Sequence, residues 1–452
     1  MAGAELRRAP KKESLLGNRL TVLLSGAAAG FGEGFALAVV VVAAYIALHT
    51  DNLVTVGFAP ALGFGLWNIG GLIAGMAIAG RARRLPWSFA ANLVRTGMMG
   101  LIAYIAYQDD VIASDRIQAF LICYAVFAYF SGFASVATNT MVRASLDVAS
   151  RTRVLHLRAI VAALLAALAG VIAHKVFSDT TLSTDRAFGF IFIGAAAAMA
   201  ASTFFAFTIR ETPGPVPRPP VSPGGGNAHN RGVRAVRRYV SIRVLLAAAG
   251  MADAFLIVYG IRELGMGPEF IGISVVAFAI ATAAGLLFWS AFERSRVPRT
   301  SLQFASFLKV IPPLIAISIP YLESSAYYDD HTSGNALLHW MIVGAFVALG
   351  LAMASIITGS IGFLASVPPG LASPSATISN GALALTSMSG FLAGWIADRW
   401  GLDRLFAVAL AVAIIALLST GSLPVTAINR ARPGPATTRA PGAMRTNRLS
   451  IR

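Results

Sequence analysis

The stretch AAAGFGEGFA (residues 27–36) places one carboxylate, that of Glu33, inside a long run of apolar residues. About 20 such residues in a helix cross the hydrocarbon core of a bilayer. A charged side chain at the centre of a spanning helix costs on the order of 2.5–3.5 kcal/mol even on the mildest insertion scale. We therefore expect Glu33 to face a protein interior or water, and the rest of the chain must supply that environment.

The composition of the whole chain predicts a membrane protein. Of its 452 residues, 56% are hydrophobic and 12% are charged, which lies outside the usage of soluble domains. The net charge of +16 comes from basic residues in short segments between apolar runs, a distribution that orients a membrane protein and does not predict nucleic-acid binding. The single cysteine, Cys123, and the six scattered histidines lack metal-ligand spacing, so we expect no disulfide, metal or cofactor.

Twelve apolar runs are long enough to cross a bilayer as helices. They lie at 20–48, 53–79, 87–107, 117–142, 155–176, 187–209, 240–261, 269–292, 301–321, 336–364, 374–397 and 403–428. The N-terminus and the connections after spans 2, 4, 6 and 8 are basic, whereas those after spans 1, 3, 7 and 9 are acidic or neutral. Because short cytoplasmic loops are enriched in Lys and Arg, we expect both termini in the cytoplasm of a bacterial inner membrane.

The spans form an internal repeat. AAAGFGEGFA aligns with AAAGMADAFL (247–256) and sets Glu33 opposite Asp253. RARRLP (81–86) aligns with ERSRVP (293–298), and LAGVIAHK with LAGWIADR follows in the same order. Short matches rich in Ala and Gly are individually weak, but their common order predicts two parallel six-span halves.

The repeat divides the chain into five parts. A Pro/Gly-rich segment that becomes basic separates the halves and is expected to be a cytoplasmic linker, and the Pro- and Arg-rich end is expected to be disordered. The predicted parts are a cytoplasmic N-terminal segment 1–19, a six-helix bundle 20–209, a linker 210–239, a second six-helix bundle 240–428 and a basic cytoplasmic tail 429–452.

With twelve spans in two halves, termini on one side and a long central connection, the chain resembles the major facilitator superfamily of transporters over about residues 15–428. The resemblance implies an all-α membrane protein with two pseudo-symmetric six-helix bundles. It also implies transport of a small solute by alternating access.

A gating pattern of that family, Gly-x-x-x-Asp-x-x-Gly-x-Arg, is only partly kept here. After span 2, GMAIAGRARR retains Gly75 and Arg84 but has Ala79 where the family has Asp. A better copy, GWIADRWGLDR, follows span 11. Its matching residues are Gly394, Asp398 and Gly401.

All but two of the 20 acidic residues lie in loops, in tails or at span ends. The two exceptions are Glu33 and Asp253, each about 20 Å from the cytoplasmic end of its span at 1.5 Å per residue. Two basic residues, Arg95 in span 3 and Lys309 in span 9, lie about 12 Å deep at near-equivalent positions of the repeat.

Two interpretations of these charges stay open. In the first, Glu33 and Asp253 line a central cavity, where they carry protons or neutralise a cationic solute. In the second, they are buried ion pairs, Glu33 with Arg95 and Asp253 with Lys309, that fix helix packing.

Several polar or aromatic residues inside the spans are weaker candidates for solute binding, because interfacial rings and interhelical hydrogen bonds explain most such residues. They are Trp67, Asn68, Asn139, Tyr259 and Asn380, with His339 and Trp340 less favoured. We expect His156 and Arg158, at the start of span 5, to mark the membrane interface.

The sequence thus predicts a monomeric secondary transporter of a small solute, with possible coupling to protons through Glu33 and Asp253. The alternative is a transporter-derived sensor or assembly protein without transport. An intramembrane enzyme with a carboxylate dyad is disfavoured, because the two acids lie on symmetry-related spans and no HExxH or Gly-x-Ser-x-Gly is present.

Overall fold

The computed structural model describes residues 12–78, 80–108, 113–146, 148–211, 226–292, 298–324, 336–366 and 369–423. All regular secondary structure within these ranges is helical. Residues 1–11, Ala79, the Pro/Gly-rich part of the predicted linker (212–225) and the predicted tail lie outside the described residues.

The first half contains spans 1 to 6, of which the first two are interrupted. Span 1 comprises Lys12–Phe35, a π-helix Ala38–Val42 and Ala43–His49, and span 2 comprises Leu53–Pro60, a π-helix Ala61–Leu66 and Trp67–Ile78. Spans 3 to 6 are Leu85–Tyr107, Ala113–Ser145, Val148–Phe177 and Thr184–Phe207.

The second half contains spans 7 to 12, of which spans 7, 9 and 11 are interrupted. Span 7 comprises Gly226–Ala249, a 3₁₀ turn Gly250–Ala252 and Phe255–Arg262; span 9 comprises Pro298–Leu308 and Ile311–Glu323; span 11 comprises Pro369–Ser387 and Ser389–Trp400. Spans 8, 10 and 12 are Glu269–Phe292, Ala336–Ser366 and Leu402–Thr420. Span 7 begins inside the segment predicted as linker, so that segment is helical from Gly226 onward.

Eleven helices among the described residues are long and apolar enough to cross a membrane, which makes the chain a multi-pass membrane protein. The sequence predicted twelve, and the difference is span 11. Its first part, PGLASPSATISNGALALTS, is rich in Ser, Pro and Gly, and the helix is interrupted at Met388. Span 11 nevertheless runs from one side of the bundle to the other in two pieces, so the twelve-helix arrangement is approximately confirmed.

The glycines around Glu33 let span 1 approach its neighbours closely. A Cβ at Gly34 would lie 2.7 Å from Ala166 Cα of span 5, and one at Gly32 would lie 3.1 Å from the Ala195 carbonyl oxygen of span 6. Span 1 is thereby packed between spans 5 and 6. Small residues commonly serve this purpose in membrane helices.

We call the end at which span 1 begins the terminal side and the opposite end the distal side. On the terminal side, Asn18 exchanges two hydrogen bonds of 3.0 Å with the backbone of Arg210, just after span 6. Nearby, the Glu211 carboxylate accepts the Arg84 and Leu85 backbone N–H groups at 2.8 and 3.0 Å and so caps span 3.

The hydrophobic core joins the two halves on the distal side only. The largest cluster of buried residues includes both Val40–Ile46 of span 1 and Phe255–Val258 of span 7. On the terminal side, the clusters of buried residues each draw on a single half of the described chain. The halves therefore close against each other at the distal end and share no hydrophobic core at the terminal end of the described residues.

We call the closed contact between the halves on the distal side the distal seal. Two side chains bond across it from one half to the other. Arg262, at the end of span 7, donates to the carbonyls of Ala47 and Asp51 at 3.0 Å and also to that of Thr50, where span 1 ends. His174 Nδ1, at the end of span 5, lies 3.0 Å from the Glu269 carbonyl oxygen of span 8.

Glycines complete the seal where spans 2 and 11 meet. A Cβ at Gly57 would overlap the Gly390 carbonyl oxygen, and one at Gly394 would lie 2.6 Å from the Leu53 carbonyl oxygen. Beside them the rings of Phe58 and Phe391 meet edge to face, with centroids 4.3 Å apart.

We expect Gly57→Ala to lower the midpoint of thermal unfolding in detergent, because the added methyl would strike backbone of span 11. Overpacking of this kind costs about 1–3 kcal/mol. Gly344→Ala is the matched control, since a Cβ there has no neighbour within 4 Å and Ala in a helix is favoured over Gly by about 1 kcal/mol. An unchanged midpoint for the Gly57 variant would contradict the close contact between spans 2 and 11.

Candidate functional site

Glu33 projects into an open interior of the first half. Its side chain is 66% exposed, although its span is packed on both flanks. Leu24, which is exposed and suited to lipid, lies nine residues away and thus on the opposite face, about 180° around the helix. The carboxylate therefore points away from the lipid-facing leucines.

Span 1 is interrupted just beyond this carboxylate. The Ala36 N–H bonds to the Glu33 carbonyl three residues back at 3.3 Å, and Leu37 is extended with ψ 113°. Such breaks at membrane depth are tolerated where the backbone is buried in protein or lines a cavity.

Arg95 of span 3 is the first partner of Glu33. Its Nη1 lies 4.0 Å from Glu33 Oε1, and its side chain is only 7% exposed. The Nε of Arg95 is buried without a hydrogen-bond partner among the described residues. The contact is thus a loose ion pair between one solvated group and one buried group.

Arg158 of span 5 is a second cation of the same cluster. Its side chain lies over Gly26 of span 1, and its Nη1 lies 3.4 Å from Asn139 Oδ1 of span 4. Because Gly26 lies two turns before Glu33 on the same face of span 1, Arg158 approaches the side of the helix that carries Glu33. The sequence assigned Arg158 to the membrane interface, whereas the structure turns its side chain into the bundle and joins it to Asn139.

The equivalent carboxylate of the second half is held more tightly. Asp253 is in direct contact with Lys309 Nζ of span 9, and the two side chains are 16% and 10% exposed. Gly250, one turn before Asp253, leaves room for this pair, since a Cβ there would lie 3.0 Å from Asp253 Oδ2. Equivalent spans are therefore paired in both halves. The contact between spans 1 and 3 is loose, whereas the contact between spans 7 and 9 is close.

In the second half, both Asp253 and Lys309 lie next to a break in their helix. Span 7 narrows to a 3₁₀ turn immediately before Asp253. Span 9 is interrupted at Lys309–Val310, because Pro312 and Pro313 lack N–H donors and their rings would clash with carbonyls four residues earlier. Lys309 thus lies at the break between the two helices of span 9.

Apart from Asn139, which contacts Arg158, the weaker candidates do not converge on these charges. Asn68 Nδ2 is satisfied within span 2 by the Phe64 carbonyl at 2.7 Å, and Trp67 beside it is exposed. Tyr259 is buried in the distal core with its ring 5.7 Å from that of Phe406. Asn380 of span 11 faces span 2, with Nδ2 3.4 Å from the position a Cβ at Gly71 would take.

Two further candidates lie at the distal end of span 10. His339 Nε2 is 2.8 Å from the Leu264 carbonyl oxygen, and Trp340 is exposed. Both residues therefore lie at the distal end of the second half, away from the two charge clusters.

The residues of the gating-like motifs have separate structural tasks. Gly75 has open space around it, and Arg84 takes part through its backbone N–H, which Glu211 accepts. Gly394 lies at the tight contact with span 2, as described above. Asp398 is exposed, and Gly401, with φ +90°, separates spans 11 and 12. Glu211, which no sequence motif indicated, supplies the carboxylate that caps span 3 beside Arg84.

Comparisons with known proteins identify the fold. No protein-family model and no curated protein sequence matches the chain. Among solved structures, the xylose transporter XylE from E. coli, in a partially occluded inward open conformation, matches with a TM-score of 0.66 at 10% identity over 91% of this chain and 99% of its own. The chain has the major facilitator fold.

Other transporters share this fold with the chain. A D-xylose-proton symporter matches with a TM-score of 0.65 at 11% identity over 91% of this chain and 98% of its own. The nucleoside transporter NupG matches with a TM-score of 0.60 at 11% identity over 90% of this chain and 98% of its own. The resemblance noted in the sequence is thus confirmed at the level of the fold, and the major facilitator fold places spans 1 and 7 symmetrically in two bundles.

Among the described residues, no group of three or more His, Cys, Asp or Glu side chains could hold a metal ion.

We expect Asp253→Asn to destabilise the protein by about 3–5 kcal/mol, because it leaves the Lys309 ammonium buried and unpaired. Adding Lys309→Gln should restore most of the loss, since the two neutral amides can bond to each other. The comparison variant Glu33→Gln should change stability by less than about 1 kcal/mol, because its contact with Arg95 is 4.0 Å long and the carboxylate itself is solvated. Thermal unfolding of the wild type, Glu33→Gln, both single variants of the Asp253–Lys309 pair and the double variant checks this, and additive losses in the double variant would refute a coupled pair.

Proposed function

We propose that the chain is a monomeric secondary transporter that moves a small solute by alternating access, and not an enzyme. It lies in a bacterial inner membrane with both termini in the cytoplasm, so the distal side is periplasmic and the described conformation faces inward. The observation that carries this proposal is the hydrophobic core that the two halves share on the distal side but not on the terminal side of the described residues, in a major facilitator fold. Rocking of such halves around a central site exchanges its access between the two sides.

The intramembrane carboxylates are proposed to couple this motion to protons. Glu33 is open to the interior in the described conformation, whereas Asp253 is bound by Lys309. A change of conformation alters the water and the cations around each carboxylate, and both factors control its affinity for a proton. Protonation can therefore be linked to the direction in which the site opens.

In proteoliposomes we expect an imposed pH gradient to change the rate of solute uptake several-fold. The first solutes to test are xylose and nucleosides, after which structurally similar transporters are named, together with carboxylates and phosphate esters. Glu33→Gln and Asp253→Asn should abolish the effect of the gradient, while Glu263→Gln, which changes an exposed acid between spans 7 and 8, should keep it. Wild-type coupling in both intramembrane variants would favour purely structural ion pairs. Failure to move any solute would favour the sensor or assembly function.

We expect Arg262→Gln to increase the fraction of protein that is open on the distal side, because it removes the donors that hold the end of span 1. A reporter at Ala47→Cys, in a Cys123→Ser background, should then react several-fold faster with a maleimide that cannot cross the membrane. Arg399→Gln, at an exposed arginine at the distal end of span 11, is the control. Equal labelling rates in all three backgrounds would show that Arg262 does not stabilise the seal.

A further inference from the structure

The charges of the two halves do not match. In the second half one carboxylate, Asp253, is paired with one cation, Lys309. In the first half the Arg95 guanidinium lies 4.0 Å from the Glu33 carboxylate, and the Arg158 side chain lies over Gly26, two turns before Glu33 on the same face of span 1. The repeat alignment of LAGVIAHK with LAGWIADR sets Arg158 against Ala382, so the second half has no counterpart of this arginine.

Neither guanidinium is saturated by its protein contacts. A guanidinium carries five N–H donors in a fixed planar fork. Arg95 has a buried Nε without a hydrogen-bond partner among the described residues, and its contact with Glu33 is 4.0 Å long. Arg158 has a single hydrogen bond from Nη1, at 3.4 Å to Asn139, in that part of the chain.

The resulting cluster of Glu33, Arg95 and Arg158 carries a net positive charge inside a membrane bundle. Intramembrane charges are expensive unless they are paired or hydrated, so an uncompensated cation there indicates a missing anion. Carboxylate and phosphate groups match the guanidinium fork in shape and accept two parallel hydrogen bonds from it. The Glu33 side chain is 66% exposed, so a small molecule can reach the cluster without unpacking the bundle.

We propose that the solute is an organic anion whose carboxylate or phosphate group binds Arg95 and Arg158 in the first half. The inference rests on the transport function proposed above and specifies its substrate class. Glu33 then competes with the solute for the two guanidinium groups. Neutralising Glu33 strengthens anion binding, whereas it would abolish binding if this carboxylate held a cationic solute.

The test measures binding by the rise in thermal-unfolding midpoint of the purified protein, since a ligand of the folded state stabilises it by mass action. The probes are succinate, citrate, glycerol 3-phosphate and inorganic phosphate, with xylose as a neutral probe and choline as a cationic probe, all at constant ionic strength. Uptake of the same labelled compounds into proteoliposomes is measured in parallel.

We expect at least one anion to bind, with an apparent affinity that falls tenfold or more in Arg158→Gln and rises several-fold in Glu33→Gln. Arg158→Lys, which keeps the charge but loses the fork, should retain part of the affinity. Arg243→Gln is the matched control, because this span 7 arginine also has a buried Nε without a partner among the described residues and contacts Ser360 at 3.0 Å. Its affinity for the anion should change less than twofold.

Three outcomes overturn the proposal. Binding and uptake of xylose or choline but of no anion would refute the substrate class and leave transport intact. Equal anion affinity in wild type, Arg158→Gln and Arg95→Gln would place the anion elsewhere. Lack of uptake of every compound would count against transport itself, and with it against this inference.

Discussion

Charge in hydrocarbon must be accompanied by water or by an opposite charge, and this constraint organises the interior of the bundle. The two halves meet it in different ways. Asp253 is neutralised by a direct contact with Lys309, whereas Glu33 keeps its hydration and shares two arginines. A duplicated pair of positions has thus become one closed site and one open site, and at the open site the Nε of Arg95 is buried without a hydrogen-bond partner among the described residues.

Helix breaks in spans 1, 7 and 9 adjoin the charged residues. Leu37 interrupts span 1 one turn beyond Glu33, the 3₁₀ turn of span 7 precedes Asp253, and the prolines after Lys309 interrupt span 9. Lipid does not tolerate free backbone groups, so breaks of this kind belong in a protein or water interior. The same breaks allow each span to bend, as the proposed rocking of the halves would require.

Much of the fold could be predicted from the sequence, because hydropathy gives the length of each span and the internal repeat gives the correspondence between spans of the two halves. The equivalence of Glu33 with Asp253 and of Arg95 with Lys309 follows from aligned positions at matching depth. Rotation about a helix axis is not encoded in length, so the inward direction of Arg158 could not be predicted from its place near the start of span 5. The cap by Glu211 and the interruption at Met388 likewise depend on tertiary contacts that no local pattern specifies.

The distal seal is built from contacts that can be exchanged at moderate cost. Glycine backbones in spans 2 and 11 touch directly, and Arg262 and His174 bond to carbonyls that end or begin a neighbouring helix. A net hydrogen bond contributes about 0.5–1.5 kcal/mol, or about 1.5–3 kcal/mol when one partner is charged. A solute can shift the equilibrium between the two states only by the difference in its affinity for them. In the proposed transport cycle, the bound anion must therefore offset both these hydrogen bonds and the hydrophobic core that spans 1 and 7 share at the seal.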